Sequence, residues 1–177
     1  MRMFVVTLLA AAVAFAGNFT LSSGDLGGQL VKEQEYAGFG CDGANLSPEL
    51  SWSGAPEGTK SFALTVYDPD APTGSGWWHW VVFNIPADVT ALPKGAGSGD
   101  ASGMPQGAVQ SVTDYGAPGF GGACPPVGDR AHRYVFTLYA LDVPALELNA
   151  AASPALVGFM VKSHALSQAS LISYYRR

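Results

Sequence analysis

Charge is scarce in this chain. Only 13% of its 177 residues are Asp, Glu, Lys or Arg, and the formal net charge is −5. No run of Lys or Arg occurs, which argues against nucleic acid or an anionic membrane face as a partner. Cysteine is almost absent as well. Cys41 and Cys124 are the whole complement, and without a C-x-x-C spacing they exclude a thioredoxin-like centre. Several catalytic signatures are missing. There is no G-x-S-x-G elbow for a serine nucleophile. There is no P-loop and no G-x-G-x-x-G fingerprint. The three histidines lack H-x-x-x-H or H-x-H spacing, so no metal site is expected even though His and Asp are metal ligands. No cofactor is implied.

Long apolar runs are also lacking, with one exception at the start. Phe4 to Phe15 is uninterrupted by charge, follows Arg2, and leads into Ala14-Phe15-Ala16. A bilayer span needs about 20 apolar residues, so the run is too short for an anchor. It reads as a secretion signal over residues 1–16 with cleavage before Gly17. The expected product is one domain, residues 17–177, periplasmic or secreted, with no transmembrane segment after cleavage. An oxidising compartment favours a Cys41–Cys124 disulfide, the alternative being two buried thiols.

Glycine and proline, by contrast, are plentiful at 22 and 12 residues, and they predict many turns and therefore many strands. Short strands are expected at Asn18–Ser22, Gln29–Tyr36 and Leu50–Trp52. Clearer ones are expected at Lys60–Asp68, Trp77–Ile85 and His132–Leu141. Gly38–Ser47 reads as a loop. Ala87–Gly122 reads as a long Gly-rich connection with an extended piece near Val109. One helix is predicted, capped by Ser153 with Pro154 at its first position. Its apolar face is expected to carry Leu156, Phe159, Met160 and Ser163, with Val157 and Val161 beside it. Leu171–Tyr175 could close the sheet.

Residues two apart share a strand face. Asp68 is thus in phase with Phe62, Leu64 and Val66. His79 is in phase with Trp77, Val81, Phe83 and Ile85, and His132 with Tyr134, Phe136 and Leu138. Three apolar faces each end in a polar group, and a buried carboxylate needs a partner. Together they describe a hollow for a small anion. The imidazoles would donate, and Asp68 would hold a histidine or meet a ligand donor. Tyr134 and Trp77 would shape the rim. The Gly121-Gly122-Ala123-Cys124-Pro125-Pro126 stretch could form a wall whose N–H groups turn toward the anion. Blander roles compete. Either histidine alone could be structural, Asp70 could stabilise a turn, and His164 reads as core or interface. Trp77, Trp78 and Trp80 cannot all face one way.

Asp68-Pro69-Asp70-Ala71-Pro72, Trp77-Trp78-His79-Trp80-Val81-Val82-Phe83-Asn84, Pro125-Pro126 and His132-Arg133-Tyr134 resemble, in that order, the phosphatidylethanolamine-binding protein family. That family includes the Raf kinase inhibitor proteins. Thr59-Lys60-Ser61-Phe62 and the run from Asp70 to Trp80 resemble its bacterial branch. The resemblance implies a mainly β fold with flanking helices: a large central antiparallel sheet, a second small sheet and a C-terminal helix. It implies a ligand pocket of Asp68, Pro72, Trp77, His79, Gly122, Ala123, Pro125, His132 and Tyr134, with Cys124 in its wall. It also implies a phosphate-like or phosphorylethanolamine ligand and no catalytic residues. The segment between Pro72 and Trp77 is short, so a tyrosine lining the eukaryotic pocket has no counterpart there. Cys124 stands where the family has a small residue, and a disulfide would tie that wall to the Gly38–Gly43 loop. The expectation is a secreted small-anion-binding protein with an inhibitory or signalling role toward an unidentified protein partner. The alternatives are a protein-interaction module or protease inhibitor with a vestigial pocket and, third, a His/Asp-dependent hydrolase.

Overall fold

The structure, a computed structural model, describes residues 18–177. The predicted secretion signal lies outside the described residues. In chain order the elements are β1 (Thr20–Ser22), β2 (Ala37–Gly38), β3 (Cys41–Asp42), β4 (Leu50–Ser53) and β5 (Ser61–Asp68). There follow β6 (Trp77–Pro86), β7 (Ala91–Leu92), β8 (Val109–Gln110), β9 (His132–Leu141), α1 (Pro154–His164) and β10 (Ala165–Tyr175). Five strands form an antiparallel sheet in the order β10-β9-β5-β6-β8, and three form a small sheet in the order β1-β4-β7. The mainly β architecture with one helix near the C-terminus is the one expected.

The large sheet is buried on both faces. One face carries Phe62, Leu64, Val66, Tyr134, Phe136 and Leu138, which pack with Leu21, Leu50, Trp52 and Leu92 of the small sheet. The other carries Ala63, Val81, Phe83 and Leu141 and packs with Val157 and Val161 of α1. β5 is therefore buried at nearly every position, as a two-sided strand must be.

Strict alternation fails in β6, and the failure matters. Val66 pairs with Trp80 and Tyr67 with Trp78, which leaves His79 as an extra residue in a β-bulge. A second bulge sets Phe83 and Asn84 against the single residue Ala63. Asn84 sits there at φ 58°, exchanging hydrogen bonds with the Leu146 backbone. The expected face of Trp77, His79, Val81, Phe83 and Ile85 is therefore split. Val81 and Phe83 go to the helix side. Trp77, His79 and Ile85 stay on the side of Asp68, and Trp78 packs opposite.

Ser153 caps α1 by accepting from Leu156 N at 3.3 Å, and Pro154 begins it. The buried stripe is Val157 and Val161, one helical turn apart, with Met160 beside it. Leu156 and Phe159, expected on that face, are exposed. The sheet under the helix presents a narrow apolar strip, and two β-branched residues fill it. β10 runs from Ala165, well before the expected Leu171, because it pairs along all of β9. Gln29–Tyr36 is a turn with isolated bridges rather than a strand. His164 is partly exposed at the helix end and pairs with Asp142, so it is not part of the core.

Within the expected Gly38–Ser47 loop, β2 and β3 form a tight hairpin. Its two connecting residues, Phe39 and Gly40, both have positive φ, at 54° and 81°. That is the twist a two-residue hairpin requires. A disulfide joins Cys41 of this hairpin to Cys124. Arg177 adds bonds to Gly40 O and Pro125 O, and Tyr175 Oη donates to the buried Glu35 carboxylate.

The disulfide closes 83 residues of chain. Its removal by Cys41→Ser with Cys124→Ser is expected to lower stability by about 4–5 kcal/mol through loop entropy. Urea melts of the two forms check this; equal midpoints would refute it.

Candidate functional site

The end of the large sheet holds a cavity of about 190 Å³. Asp68, Trp77, His79, His132 and Tyr134 line it from β5, β6 and β9. Loops supply Phe39, Ala71, Pro72, Thr73, Tyr115, Cys124, Pro125 and Pro126. The space is that of a small-molecule pocket open on one side.

Asp68 is buried at the last position of β5. Its Oδ1 accepts from Asp70 N at 2.8 Å and Ala71 N at 3.1 Å, an Asx turn that starts the loop to Pro72. Its Oδ2 accepts from His132 Nδ1 at 2.8 Å. The carboxylate is thus fully engaged inside the protein. His132 is held in turn: its Nε2 lies 3.4 Å from Asp129 Oδ2, so both ring nitrogens face carboxylates. This geometry makes His132 a positioning element of the wall. With its Nδ1 hydrogen directed to Asp68, the neutral ring has no N–H left on Nε2 for the donor role expected of it.

His79 is different. Its Nδ1 lies 2.7 Å from Gly121 O and 3.2 Å from Gly122 O, while Nε2 is buried without a partner among the described residues. Burial holds the imidazole below the ordinary histidine range, only partly offset by the two carbonyls and the Asp68 and Asp114 charges. The Tyr134 hydroxyl is also buried and unpaired. The rings of His79 and Tyr134 meet edge-on at 5.0 Å between centroids. Burial pushes the Tyr134 phenol up, so it stays an O–H group. The Trp77 indole N–H lies beside Tyr115 with no aligned acceptor. A buried polar atom left unpaired costs about 1–3 kcal/mol. Two or three around one cavity mark a place built to meet a polar occupant.

Tyr115 was missed from the sequence. It sits in the long Gly-rich connection, where no periodicity announces a direction. Its hydroxyl donates to Gly122 O at 2.8 Å, and its ring stacks on Tyr36 and lies near Phe39. It gives the cavity a tyrosine edge even though the Pro72–Trp77 segment supplies none. The Gly wall also differs from expectation. Gly121 N donates to His79 O, Gly122 N to Asn45 Oδ1 and Ala123 N to Gln34 O. These N–H groups are spent within the protein, so they form no anion nest. Gly122 and Ala123 stand behind the cavity, and Cys124, Pro125 and Pro126 line it. Both glycines are required by close approach. A Cβ at Gly121 would lie 2.2 Å from the Tyr115 ring, and one at Gly122 2.2 Å from Gln34 O.

Asp70 lies just outside. Arg133 grips it in a bidentate pair with 2.8 and 2.9 Å contacts, and Arg130 adds a third at 2.8 Å. These bonds lock the Pro72 loop to the start of β9, which makes Asp70 structural.

Such a sheet with a hollow at its end, walled by an Asp–His pair and proline-rich loops, defines a type of protein that the comparisons identify. Residues 22–176 match the family described as phosphatidylethanolamine-binding protein, and this chain belongs to that family. It is 49% identical over 180 residues to the UPF0098 protein YbcL of Escherichia coli (strain K12), covering 99% of this chain and 98% of YbcL. It is 51% identical over 157 residues to YbhB of the same organism, covering 88% and 98%. The crystal structure of E. coli YbcL, described as a new member of the mammalian PEBP family, superposes with a TM-score of 0.89 at 51% identity. That alignment covers 91% of this chain and 99% of that one.

The arginines hold the Asp70 carboxyl well below the usual carboxylate range. A group with a depressed folded pKa adds stability above its unfolded value, near 3.9, and loses it as pH falls below that. Asp70→Asn is therefore expected to cost about 1.5–3 kcal/mol at neutral pH. It should also flatten the loss of stability below pH ~4. Melting curves from pH 7 to 3 check this; a variant as stable as the parent at pH 7 would refute it.

Proposed function

We propose that this protein is an exported binding protein whose cavity takes a small phosphate-like anion, such as inorganic phosphate or free phosphorylethanolamine. One observation carries the reading: His79 and Tyr134, both buried, each keep a polar atom unpaired beside a cavity of about 190 Å³. A phosphate-like group supplies several oxygens at once, and the Tyr134 O–H and Trp77 N–H are suited to donate to them. Export is supported by the apolar N-terminal run and by the Cys41–Cys124 disulfide, since such bonds persist in oxidising compartments.

Isothermal titration with inorganic phosphate and with phosphorylethanolamine is expected to give saturable heat. Tyr134→Phe should weaken binding about 10- to 100-fold, the worth of one hydrogen bond to a charged group. No saturable heat for either ligand between pH 5 and 8 would overturn the reading. For export, the mass of the protein recovered from cells making the full chain should correspond to a chain starting at Gly17. An intact N-terminus on the folded product would refute cleavage there.

A further inference from the structure

The His79 ring has a fixed polarity. A carbonyl oxygen only accepts, so the nitrogen that faces Gly121 O at 2.7 Å and Gly122 O at 3.2 Å carries the hydrogen. In the neutral ring the other nitrogen, Nε2, is then a bare acceptor. It is a buried atom beside the cavity with no partner among the described residues, and unlike the Tyr134 and Trp77 groups it carries no hydrogen.

The surroundings keep it so. The groups that face His79 are Asp68, Tyr134 and Tyr115, with Asp114 further out. Asp68 is spent on Asp70 N, Ala71 N and His132 Nδ1. Tyr115 Oη donates to Gly122 O. No neighbouring donor turns to Nε2, and burial opposes a charge on the ring. A fully ionised oxygen placed against Nε2 would set lone pair against lone pair. An oxygen that still carries a hydrogen would make a bond.

Building on the anion-binding reading above, we propose that the site selects a phosphomonoester carrying its last proton, which sits on the axis between the phosphate oxygen and His79 Nε2, and rejects oxyanions that have no such proton. The favoured class is a terminal phosphate, the phosphorylethanolamine type. The rejected classes are sulfate esters and phosphodiesters, the intact phospholipid head group among them. Proton balance follows. A phosphomonoester monoanion binds without proton exchange, whereas a dianion takes up one proton from solvent on binding. The second pKa of a phosphomonoester is about 6, so affinity is level below that pH and falls about tenfold per unit above it.

The test uses the intact protein and three probes that share an ethanolamine: phosphorylethanolamine, ethanolamine O-sulfate and glycerophosphoethanolamine. Titrations at pH 5.5 to 8, in two buffers of different ionisation heat, report affinity and proton uptake. At pH 6 the sulfate ester and the diester should bind at least ~100-fold more weakly than the monoester, as for ligands lacking the one hydrogen a buried site was built to pair. From pH 7 to 8 the monoester should lose affinity about tenfold while about one proton is taken up. His79→Gln presents an amide that turns to donate or accept, so the preference for monoester over sulfate ester should shrink below about tenfold. Equal binding of the three probes by the unaltered protein, or monoester binding without proton uptake at pH 8, would overturn this proposal and leave the anion pocket standing. Binding of none of them would overturn the pocket reading as well.

Discussion

The β-bulge at His79 governs what the large sheet can do. Without the extra residue, β6 would alternate and His79 would follow Val81 and Phe83 to the helix side. With it, His79 and Trp80 turn to the same side, one toward the cavity and one into the core. The bulge is held by what it creates. Once turned inward, His79 donates to the Gly121 and Gly122 carbonyls, and Gly121 N returns a bond to His79 O. The strand, the glycine wall and the imidazole thus fix one another. A short chain of hydrogen bonds sets the geometry of a site that no single element could hold.

Around that point the protein spends its few charges sparingly. The Asp68 carboxylate accepts from two backbone N–H groups and one imidazole, so its oxygens are held in the wall. Asp70 does the same one turn outward, where two arginines hold it. On the opposite wall, Phe39 is carried over the rim on a hairpin clamped by the Cys41–Cys124 disulfide and by Arg177. Covalent and ionic ties stand where the loops are too short and glycine-rich to build a core of their own. The cavity is consequently framed by rigid parts, and rigidity is what allows buried polar atoms to stay unpaired at a cost of about 1–3 kcal/mol each.

The family relationship fits this division of labour. The alignment with YbcL covers nearly the whole chain, so the likeness is one of the complete sheet and its loops. The family establishes the frame. The orientation of each ring nitrogen is a property of this structure, and it distinguishes two histidines that look alike on paper. His132 has both nitrogens turned to carboxylates, and His79 has one left over.

Period-two alternation in Lys60–Asp68 and His132–Leu141, the Ser153-Pro154 helix start, and the order of the Asp-Pro-Asp, Trp-Trp-His-Trp and His-Arg-Tyr segments were readable residue by residue. Each depends on neighbours a few positions away. Amino-acid order therefore determined the long strands β5, β6 and β9, the start of the helix, and which acid and imidazoles stand at the strand ends, but not the turn at Gln29–Tyr36, the β2–β3 hairpin or the full length of β10. Tertiary structure alone decided three things: that His79 leaves its alternating face, that the glycine wall offers carbonyls instead of N–H groups, and that Tyr115 and Phe39 reach the cavity. The reason is physical. A bulge is chosen by pairing with a strand elsewhere in the chain, and a loop side chain points where distant backbone lets it. Those long-range hydrogen bonds leave no periodic trace in the residues that make them.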